Sequence, residues 1–406
     1  MKVIGRAVQA ELLRQHSQLA LTYFAVLFFL LFAVRTTCGQ GLLSPSGPPG
    51  PTMCSLEEIC SNVPPSRPLS SSGVANIYVN PNGNYHLTQN ISVPPGYTNA
   101  LEIAGSNVTI DLNGFSVEEG INGSAIYIYP GVTNVVLKNG FIKGGLKGLG
   151  ASHVRIENVI FIQTQSIISL GQAAKLIGDS LVGDGTATNP AVTVGNRSVV
   201  SDCRVMNWGM AAGAFCFQSG DDCKFDRCTA EGGYIGFKCG KFNTCVDCNA
   251  HTNSDAGFSC DAGSVVRFCQ SHDNGGDCFK LMENCTLENS TATGCGRNGV
   301  NLAGNYCRVE HDKVDQCNTS GDTGSSGIAI KSSNGVVLDC TITRCLHYAV
   351  FVYSPYTNNL VGDCVASGNG GAVSNYQAWN FTTNVLGPQV TSISSVQFRF
   401  PLLSLP

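Results

Sequence analysis

The sequence predicts an all-β protein: a single-stranded, right-handed parallel β-helix, which is a solenoid of about twelve coils, with a short N-terminal capping helix. Three observations support this fold class. Short β-branched runs such as "NVTIDLNGFSV" and "GVVLDCTITRC" are separated by Asn and Gly. Similar runs return about every 20 to 25 residues. No helical periodicity fills the intervals between them.

The repeat is clearest in two consecutive segments, "CNAHTNSDAGFSC" from Cys248 and "CQSHDNGGDCF" from Cys269. The Cys, the His and the Phe of the first segment each return after 21 residues. One coil cannot bury its inner face alone, but a stack of coils, each ~4.8 Å above the last, buries a continuous core. Leucine-rich repeats have a similar period, but their fixed Leu positions are missing here. The repeat therefore favours the β-helix.

The first 39 residues differ from the rest of the chain and are predicted to be a signal peptide. Lys2, Arg6 and Arg14 precede an apolar run at 19–34, and small or polar residues follow it. This run is short for a membrane span, which needs about 20 residues, so a cleaved secretory signal is favoured over an uncleaved anchor. We therefore expect a secreted, extracellular or cell-surface protein, with membrane contact only if this segment stays uncleaved.

Composition divides the remaining residues into three parts. Residues 40–73 are rich in Pro and Ser, and they are predicted to form a linker with the short capping helix. Cys54 and Cys60 flank that helix and are candidates for a local disulfide. The β-helix is predicted over 74–387, and a C-terminal tail or cap over 388–406.

Charge and cysteine content narrow the class of protein. The net charge is −4 and only 13% of the residues are charged, so no nucleic-acid partner is expected. Of the 20 Cys residues, 17 lie between Cys203 and Cys364, a density typical of an oxidising compartment. Eight Asn-x-Ser/Thr sequons are candidate glycosylation sites of a secreted protein: Asn90, Asn107, Asn122, Asn196, Asn284, Asn289, Asn318 and Asn380.

The Cys residues fall into columns when the repeats are aligned. One column is expected to face inward and consists of Cys203, Cys228, Cys248, Cys269, Asn289, Asp312, Cys340 and Cys364. A second column, on another strand, consists of Cys216, Cys239, Cys260 and Cys278. Equivalent residues of neighbouring coils lie ~4.8 Å apart, inside the Cα range of a disulfide. Disulfides between coils and stacked free thiols both fit this spacing, and an oxidising compartment favours disulfides for most of these Cys.

The same alignment places charged and imidazole side chains outward, because strand residues alternate between core and solvent. One outward face is expected to carry, within a few coils, Glu231, Asp247, His251, His272, Glu288, His311 and Asp315. Such a strip of donors and acceptors is suited to a sugar polymer. A solvated face without a ligand is the alternative, because every solenoid has an exposed surface where charged residues are common.

Two segments resemble a known family: "NVTIDLNGFSV" at 107–117 and "NYQAWNFTTNVLGPQV" at 375–390. Residues 74–390 as a whole resemble the pectate-lyase-like superfamily, in particular its secreted right-handed β-helix repeat proteins. The resemblance implies the fold. The superfamily contains lyases, hydrolases, epimerases, adhesins and structural proteins, so the resemblance leaves the activity open.

The lyases of this superfamily imply one set of candidate site residues. They have a calcium-binding cluster of acidic residues with a nearby Arg that acts as the base. The nearest match in this sequence is Asp221, Asp222 and Asp226, followed by Arg227. Calcium is the only cofactor that the resemblance suggests.

The alginate epimerases of this fold imply a second set. They have an Asp-Pro-His-Asp motif, of which "SHDN" at 271–274 keeps His272 and Asp273. The resemblance implies that His272 transfers a proton and that Asp273 is its partner. His251, one repeat earlier, is the second catalytic candidate of this pair.

These observations lead to two hypotheses of function. The first is a secreted carbohydrate-active or carbohydrate-binding protein whose partner is an extracellular polysaccharide or matrix glycan. As an enzyme it would be a lyase or epimerase of uronic-acid polymers, or a hydrolase. The second is a non-enzymatic structural or adhesive glycoprotein, in which the solenoid is a rod. No complete catalytic motif is present, so the sequence leaves the enzymatic activity open.

Overall fold

The computed structural model describes 66–70, 77–93, 96–119, 123–162, 167–322, 324–353 and 355–370, and the backbone of 376–378, 385–386 and 390–391. The predicted signal peptide, the capping helix, the Cys54–Cys60 pair and the sequons at Asn122 and Asn380 lie outside these residues. All the regular elements within them are strands. In this part of the chain there is accordingly no helix with the length and hydrophobicity of a membrane span.

Each coil contributes up to three parallel strands, which pair with the strands of the next coil to form two long sheets. Sheet A has 27 strands and sheet B has 14. Sheet A consists of two strand columns, A1 and A2, which a tight corner joins in each coil. The predicted parallel β-helix is confirmed. Sheet B has 14 strands, so the solenoid has slightly more coils than the expected number of about twelve.

The strands of sheet B are β2 (Ile77–Val79), β5 (Asn99–Ile103), β8 (Ser124–Ile128), β10 (Leu146–Gly148), β12 (Ile168–Leu170), β15 (Val192–Val194), β18 (Phe217–Ser219), β21 (Phe237–Cys239), β24 (Phe258–Cys260), β27 (Phe279–Leu281), β30 (Val300–Leu302), β33 (Ser326–Ile330), β36 (Tyr348–Val352) and β39 (Tyr376–Ala378).

Column A1 contains β1 (Arg67–Leu69), β3 (Gly83–Leu87), β6 (Val108–Asp111), β9 (Thr133–Lys143), β11 (Ser152–Ile162), β13 (Lys175–Ile177), β16 (Val199–Ser201), β19 (Lys224–Asp226), β22 (Thr244–Val246), β25 (Val265–Arg267), β28 (Thr286–Glu288), β31 (Arg308–Glu310), β34 (Val336–Leu338), β37 (Leu360–Gly362) and β40 (Val385–Leu386). Its first strand, β1, pairs with β3 and lies before residue 74, where the β-helix was expected to begin.

Column A2 contains β4 (Ile91–Ser92), β7 (Ser116–Glu118), β14 (Ser180–Val182), β17 (Arg204–Met206), β20 (Thr229–Glu231), β23 (Asn249–His251), β26 (Gln270–His272), β29 (Thr291–Thr293), β32 (Lys313–Asp315), β35 (Thr341–Thr343), β38 (Val365–Ser367) and β41 (Val390–Thr391). The long strands β9 and β11 run through both columns. In most three-residue strands of sheet A the middle side chain is buried and its two neighbours face outward.

A single residue with positive φ makes the corner between columns A1 and A2. From β16 onward these corner residues have φ between 49° and 56°, and they are Asp202, Arg227, Asp247, Phe268, Asn289, His311, Asp339 and Asp363. Asp and Asn enter this left-handed region more readily than other residues with a side chain. The corner therefore explains the recurring "DC" dipeptide of the sequence.

The residue after each corner points inward and accepts a hydrogen bond from the preceding coil. Cys248 Sγ accepts from the backbone N of Cys228 at 3.5 Å. In the same way Ser290 Oγ accepts from Cys269 N at 3.1 Å, and Asp312 Oδ1 accepts from Ser290 N at 2.6 Å. A buried N–H needs a partner, so this position requires a side chain that accepts a hydrogen bond.

The alignment of the expected inward column was wrong by one residue in one coil. Asn289 was placed in the column, but it is the exposed corner residue, and Ser290 takes the inward position. The cause is that Asn suits both places: it enters the left-handed region, and it accepts hydrogen bonds. The same shift puts Glu288 at the outward end of an A1 strand instead of at the corner.

The Cys residues are mostly thiols, which contradicts the prediction that most are oxidised. Fifteen buried Cys are free, including the disulfide candidates Cys203, Cys216, Cys228, Cys239, Cys248, Cys260, Cys269, Cys340 and Cys364. The single disulfide of the described residues joins Cys278 to Cys295 within one coil, with a Cα–Cα distance of 5.7 Å. Stacked Cys side chains are related by a translation of ~4.8 Å, whereas a disulfide needs Cβ atoms about 3.8 Å apart.

The expected second Cys column also combines two different positions of sheet B. Cys239 pairs with Cys260. Cys216 instead directly precedes Phe217, and Cys278 directly precedes Phe279. These two Phe residues pair with Phe237 and Phe258, respectively. The sequence alignment had shifted one pair against the other, because both positions lie within two residues of a Phe.

Sheet B supplies an aromatic stack to the core. Phe217, Phe237, Phe258 and Phe279 are fully buried and lie one above another in successive coils. Their ring centroids are 5.0, 4.7 and 5.1 Å apart in turn, and each pair is stacked. The stack fixes the distance and the register of the central coils, on which the outward-facing residues depend.

Candidate functional site

The outward side of column A2 brings together the clearest group of functional side chains. Glu231 pairs with His251, and His251 pairs with His272, at the ends of β20, β23 and β26. We call the surface formed by Arg204, Glu231, His251, His272 and Asp273 the His face. The equal repeat spacing of the two His residues had predicted this outward placement on adjacent coils, and the structure confirms it.

The two imidazoles of the His face are stacked. Their centroids are 4.8 Å apart and their planes differ by 7°. His251 Nε2 lies 3.9 Å from Glu231 Oε2, and Arg204 Nη2 donates to the same oxygen at 3.1 Å. His272 Nδ1 lies 3.0 Å from Asp273 Oδ2. Each imidazole therefore has one carboxylate beside it: Glu231 is next to His251, and Asp273 is next to His272.

The environment of His251 keeps it neutral. Its side chain is 19% exposed, against 36% for His272. Burial lowers the pKa of His251 below its ordinary value of 6.5, and the neighbouring His272 and Arg204 lower it further, while Glu231 opposes them. A neutral imidazole donates from one ring nitrogen and accepts at the other. His251 Nδ1 lies 3.2 Å from Thr252 Oγ1, so Nε2 is the ring nitrogen that is left for a ligand.

Asp315 lies in the same outward column but is already committed to other side chains. It is separated from His272 by the strand that ends at Thr293. Its carboxylate accepts from Arg344 and from Thr343 Oγ1, and the hydrogen bond from Arg344 holds its pKa below the usual range. Asp315 therefore supports the surface instead of extending the free part of the His face.

Three other predicted binding residues lie beside the His face and not on it. Asp247 and His311 are corner residues, and His311 Nε2 lies 3.7 Å from Asp339 Oδ2. Glu288 is in column A1, where it pairs with Glu310 on the next coil. All three side chains therefore lie apart from the outward ends of the A2 strands that form the His face.

Arg227 is held by two carboxylates. It donates to Asp202 through Nε and Nη2 at 2.7 and 2.9 Å, and to Asp226 through Nη1 at 2.7 Å. Asp202 is the main cause of a pKa of Arg227 above its usual range. An Arg can act as a base only after it has lost its own proton, and the raised pKa of Arg227 opposes that loss. The arrangement therefore suits a bridge between coils better than the catalytic base that the resemblance implied.

The three Asp residues proposed to hold calcium are not clustered. Asp221 Oδ1 accepts from the backbone N of Lys241 at 2.8 Å, and Asp226 is paired with Arg227. Within the described residues, the group whose side chains are close enough to share a metal ion is Cys278, Cys295 and Cys317, but the disulfide between Cys278 and Cys295 leaves Cys317 as its single free thiol. Calcium at Asp221, Asp222 and Asp226 remains a prediction that rests on the resemblance.

The predicted glycosylation sites differ in accessibility. Asn318 is fully buried, and its Nδ2 donates to the carbonyl oxygens of Asp322 and Ser325, which leaves no room for a glycan. The other sequons within the described residues are exposed: Asn90, Asn107, Asn196, Asn284 and Asn289.

One member of the His face was missed by sequence reasoning. Arg204 was not selected, because it lies on β17, two coils before His251, and its partner Glu231 is 27 residues away. The signal was present in the alignment, since Arg204 opens an A2 strand in the same way as Lys313. A search for opposite charges on neighbouring strand ends would have found it.

A family model described as a right-handed β-helix region matches residues 190–323 and 283–386. This chain is a right-handed β-helix protein. The β-helix protein finds no match among curated protein sequences.

Among solved structures it is similar to the A-module of the mannuronan C-5 epimerase AlgE4 from Azotobacter vinelandii, with 12% identity, a TM-score of 0.42, and coverage of 78% of this chain and 87% of that one. It is also similar to the Dettilon tailspike protein, with 12% identity and a TM-score of 0.43; 77% of this chain is covered, and it spans 60% of the tailspike chain. A third similar structure is the catalytic domain of a GH87 α-1,3-glucanase in complex with tetrasaccharides, with 10% identity, a TM-score of 0.39, and coverage of 86% and 70%.

Proposed function

We propose that this β-helix protein binds a polysaccharide along its outward surface, with the His face as the contact site. The observation that carries the proposal is the stacked pair of His251 and His272 with a carboxylate at each end. Sugars present hydroxyl groups, and imidazoles and carboxylates are good partners for them because they supply both donors and acceptors. Repeating strands spaced ~4.8 Å apart suit a linear polymer.

The His pair is not required by the fold. The equivalent outward positions of other coils hold Val182, Met206 and Thr293, so the strands form equally well without an imidazole. A solvated surface, the alternative explanation, does not require two aromatic rings to lie in parallel contact, one of them mostly buried. The geometry thus favours a ligand over simple exposure.

We also propose that the protein is exported and that its partner is extracellular. The motivation is the basic and apolar segment at 1–39. Sequencing the N-terminus of the mature protein from a secreting host tests this. A mature protein that retains residue 1 and stays inside the cell would contradict export.

Turnover of the polysaccharide is the finer form of the proposal. His272 lies 3.0 Å from Asp273, a distance that suits proton transfer through a His–carboxylate pair. A lyase or epimerase would require this pair, whereas a binding protein would require only the surface. Incubation with uronic-acid polymers, followed by ultraviolet detection of unsaturated products and NMR of the sugar ring, separates the two.

The experiment that tests binding compares two double variants. His251→Ala with His272→Ala should weaken binding, on a polysaccharide array, by about tenfold or more, with nearly unchanged thermal stability. The matched control is Val336→Ala with Leu360→Ala, an outward pair on adjacent coils of column A1. Equal binding by the His variant and the wild type, or a loss of stability that accounts for the whole effect, would contradict the proposal and favour a structural or adhesive rod.

A further inference from the structure

Three exposed aromatic rings lie at corners where the backbone is strained. Phe268 is at a corner between columns A1 and A2, and Phe242 and Tyr306 are at corners between sheet B and column A1. The φ angles of Phe268, Phe242 and Tyr306 are 56°, 57° and 61°, and their exposed fractions are 53%, 61% and 57%. Asn, Asp and Gly enter this left-handed region at lower cost. Backbone strain of this kind concentrates at functional sites, so the rings indicate a role other than packing in the core.

Two exposed sequons have side chains that the fold does not use. Within the described residues, the side-chain amides of Asn284 and Asn289 form no hydrogen bond, and both side chains are exposed. The other exposed sequons take part in contacts between coils: Asn90 Oδ1 accepts from Ser116 N, Asn107 Nδ2 donates to Asn82 Oδ1, and Asn196 Oδ1 accepts from Asp221 N. Asn284 and Asn289 can therefore carry a substituent on Nδ2 without the loss of a contact in the fold.

Each of these two Asn residues has one of the exposed rings on an adjacent coil. Strand β25 pairs with β28 over its full length, so Phe268 and Asn289, the residues after these strands, are equivalent corner residues of neighbouring coils. Strand β28 pairs with β31 in the same way, so Asn284 and Tyr306, two residues before these strands, are also equivalent. Equivalent residues of neighbouring coils are ~4.8 Å apart. Both free sequons therefore adjoin a strained, exposed ring.

The chemistry of N-glycosylation fits this arrangement. An Asn-x-Ser/Thr sequon accepts an oligosaccharide from a lipid diphosphate donor in the secretory pathway. Asn Nδ2 loses one proton and forms a bond to the anomeric carbon of the first sugar, and the bond from that carbon to the lipid diphosphate breaks. The first sugar stays within a few bonds of the Asn side chain, beside the equivalent corner of the adjacent coil. A sugar ring has an apolar face, for which an exposed aromatic ring is a suitable partner.

We propose that Asn284 and Asn289 are N-glycosylated and that the first sugar of each glycan packs on the adjacent ring, Tyr306 or Phe268. This pairing gives the two strained rings a partner and uses the two sequon amides that the fold leaves free. Both attachment points flank β28 of column A1, whereas the His face lies on column A2. The inference rests on the proposed export of the protein, and it adds a modification that polysaccharide binding does not require.

The first experiment measures the occupancy of the two sites in the full chain, secreted by a eukaryotic host. In a parallel preparation a leader of established function replaces residues 1–39, which separates failed export by the native segment from failed modification. Mass spectrometry of peptides, before and after a peptide-N-glycosidase that leaves Asp at each glycosylated Asn, should show glycans at both sites. Thr286→Val and Thr291→Val should each remove one glycan, because each destroys one sequon and keeps its corner Asn. A secreted, folded protein without a glycan at either Asn284 or Asn289 would overturn the proposal.

The second experiment measures the contact between sugar and ring. Enzymatic removal of the glycans should lower the melting temperature of the wild type by about 2 °C or more. This decrease should be smaller in Phe268→Asn and in Tyr306→Asn, because the sugar has lost the ring on which it packs. The decrease is compared within each variant, so any effect of the substitution on the corner itself cancels.

Phe242→Asp is the matched control. Phe242 has a similar φ and a similar exposure, but its ring covers Gly263 of the next coil, where a Cβ would lie 2.5 Å from Phe242 Cδ1, and no sequon adjoins it. Asp is used because Asn at this position would create a sequon with Thr244. The decrease in melting temperature should equal that of the wild type.

The outcomes separate this inference from the proposed function. Glycans at both sites, with a smaller decrease in Phe268→Asn and Tyr306→Asn and the full decrease in Phe242→Asp, support the inference. The same decrease in all four proteins would overturn the contact between sugar and ring, and with it the proposal. A glycosylated wild type that binds no polysaccharide would contradict the proposed function and leave the two glycan sites supported.

Discussion

At the scale of single residues, the inward position after each corner explains the cysteine content of the chain. Cys248, Ser290 and Asp312 occupy equivalent places, and each accepts a hydrogen bond from a backbone N–H of the preceding coil. Asn243 plays the same part directly before a strand of column A1, where its Oδ1 accepts a hydrogen bond from Cys223 N at 2.7 Å. What these residue types share is an acceptor on a short side chain, so cysteine serves here as a compact buried acceptor.

This role gives a prediction about two buried Cys residues of the same coil. Cys248→Val should lower the free energy of unfolding by about 1–3 kcal/mol, because it leaves the N–H of Cys228 unpaired. Cys248→Ser should cost less, because a hydroxyl also accepts. Cys245 is the control: its sulfur contacts Cys239 Sγ at 3.6 Å instead of a backbone N–H, so there Val should be tolerated better than Ser. Urea denaturation of the four variants measures this, and the same order of Val and Ser at both positions would contradict it.

His251 gives a prediction about pH. Its pKa is lowered from 6.5 in the folded protein, so the unfolded chain binds the proton more readily. Protonation of His251 therefore lowers the free energy of unfolding as the pH falls below 6.5. This loss stops growing once the pH is below the pKa of His251 in the folded protein. NMR titration of the ring should give a midpoint below 6.5, and His272→Ala should raise it by removing a nearby positive charge.

A second variant makes this test sharper. Glu231→Gln removes the carboxylate that favours the charged ring, so it should lower the midpoint further. An unchanged midpoint in both variants would mean that neither neighbour interacts with the ring, which would contradict the geometry of the His face.

At the scale of elements, the corners show where a rule of the fold is broken. Most corner residues between columns A1 and A2 are Asp or Asn, but Phe268 has a φ of 56° and is 53% exposed. A bulky side chain in the left-handed region is strained, and its exposed ring gains little from burial. The corner could therefore form at lower cost with another residue.

Phe268→Asn should accordingly raise the free energy of unfolding, by about 1 kcal/mol. Val265→Asn is the control, because Val265 is a partly exposed residue of β25 in the same coil, where Asn is disfavoured; it should lower the stability. Thermal unfolding followed by circular dichroism measures both. A loss of stability in Phe268→Asn would show that the ring packs usefully against its neighbours.

The elements also show why the register was predicted only in part. In the coils from Cys203 to Cys269 one Cys marks the inward position, and the prediction there was correct. At Asn289 and Ser290 either residue can serve as acceptor, so the sequence pattern fits two alignments that differ by one place. The backbone decides between them, because only one residue has a positive φ.

At the scale of the whole molecule, the fold was predictable because every coil buries its inner face in the same way, with residues that recur at the same spacing. The placement of His251 and His272 was predictable for the same reason, since it follows from the period, whereas Arg204 was missed. The connections from column A2 to sheet B were not predictable. These vary in length between coils, from Thr252–Gly257 to the longer segment before Ser326, and periodicity does not describe them.

The stacked core gives a prediction about how the coils depend on one another. In a solenoid each coil contacts its neighbours only, so stability is approximately a sum of coil terms and nearest-neighbour terms. Phe237 and Phe258 stack at 4.7 Å, whereas Phe217 and Phe279 are separated by both of them. Each Phe→Ala change should cost about 3–5 kcal/mol through lost contacts and a cavity.

The two pairs should differ when they are combined. Phe237→Ala with Phe258→Ala should deviate from the sum of the single changes by about 0.5–3 kcal/mol, because one cavity removes contacts that both rings share. Phe217→Ala with Phe279→Ala should be additive within about 0.5 kcal/mol, because no contact is shared. Denaturant unfolding of the four single and two double variants measures both cycles. Equal deviations in the two pairs would mean that strain passes along several coils.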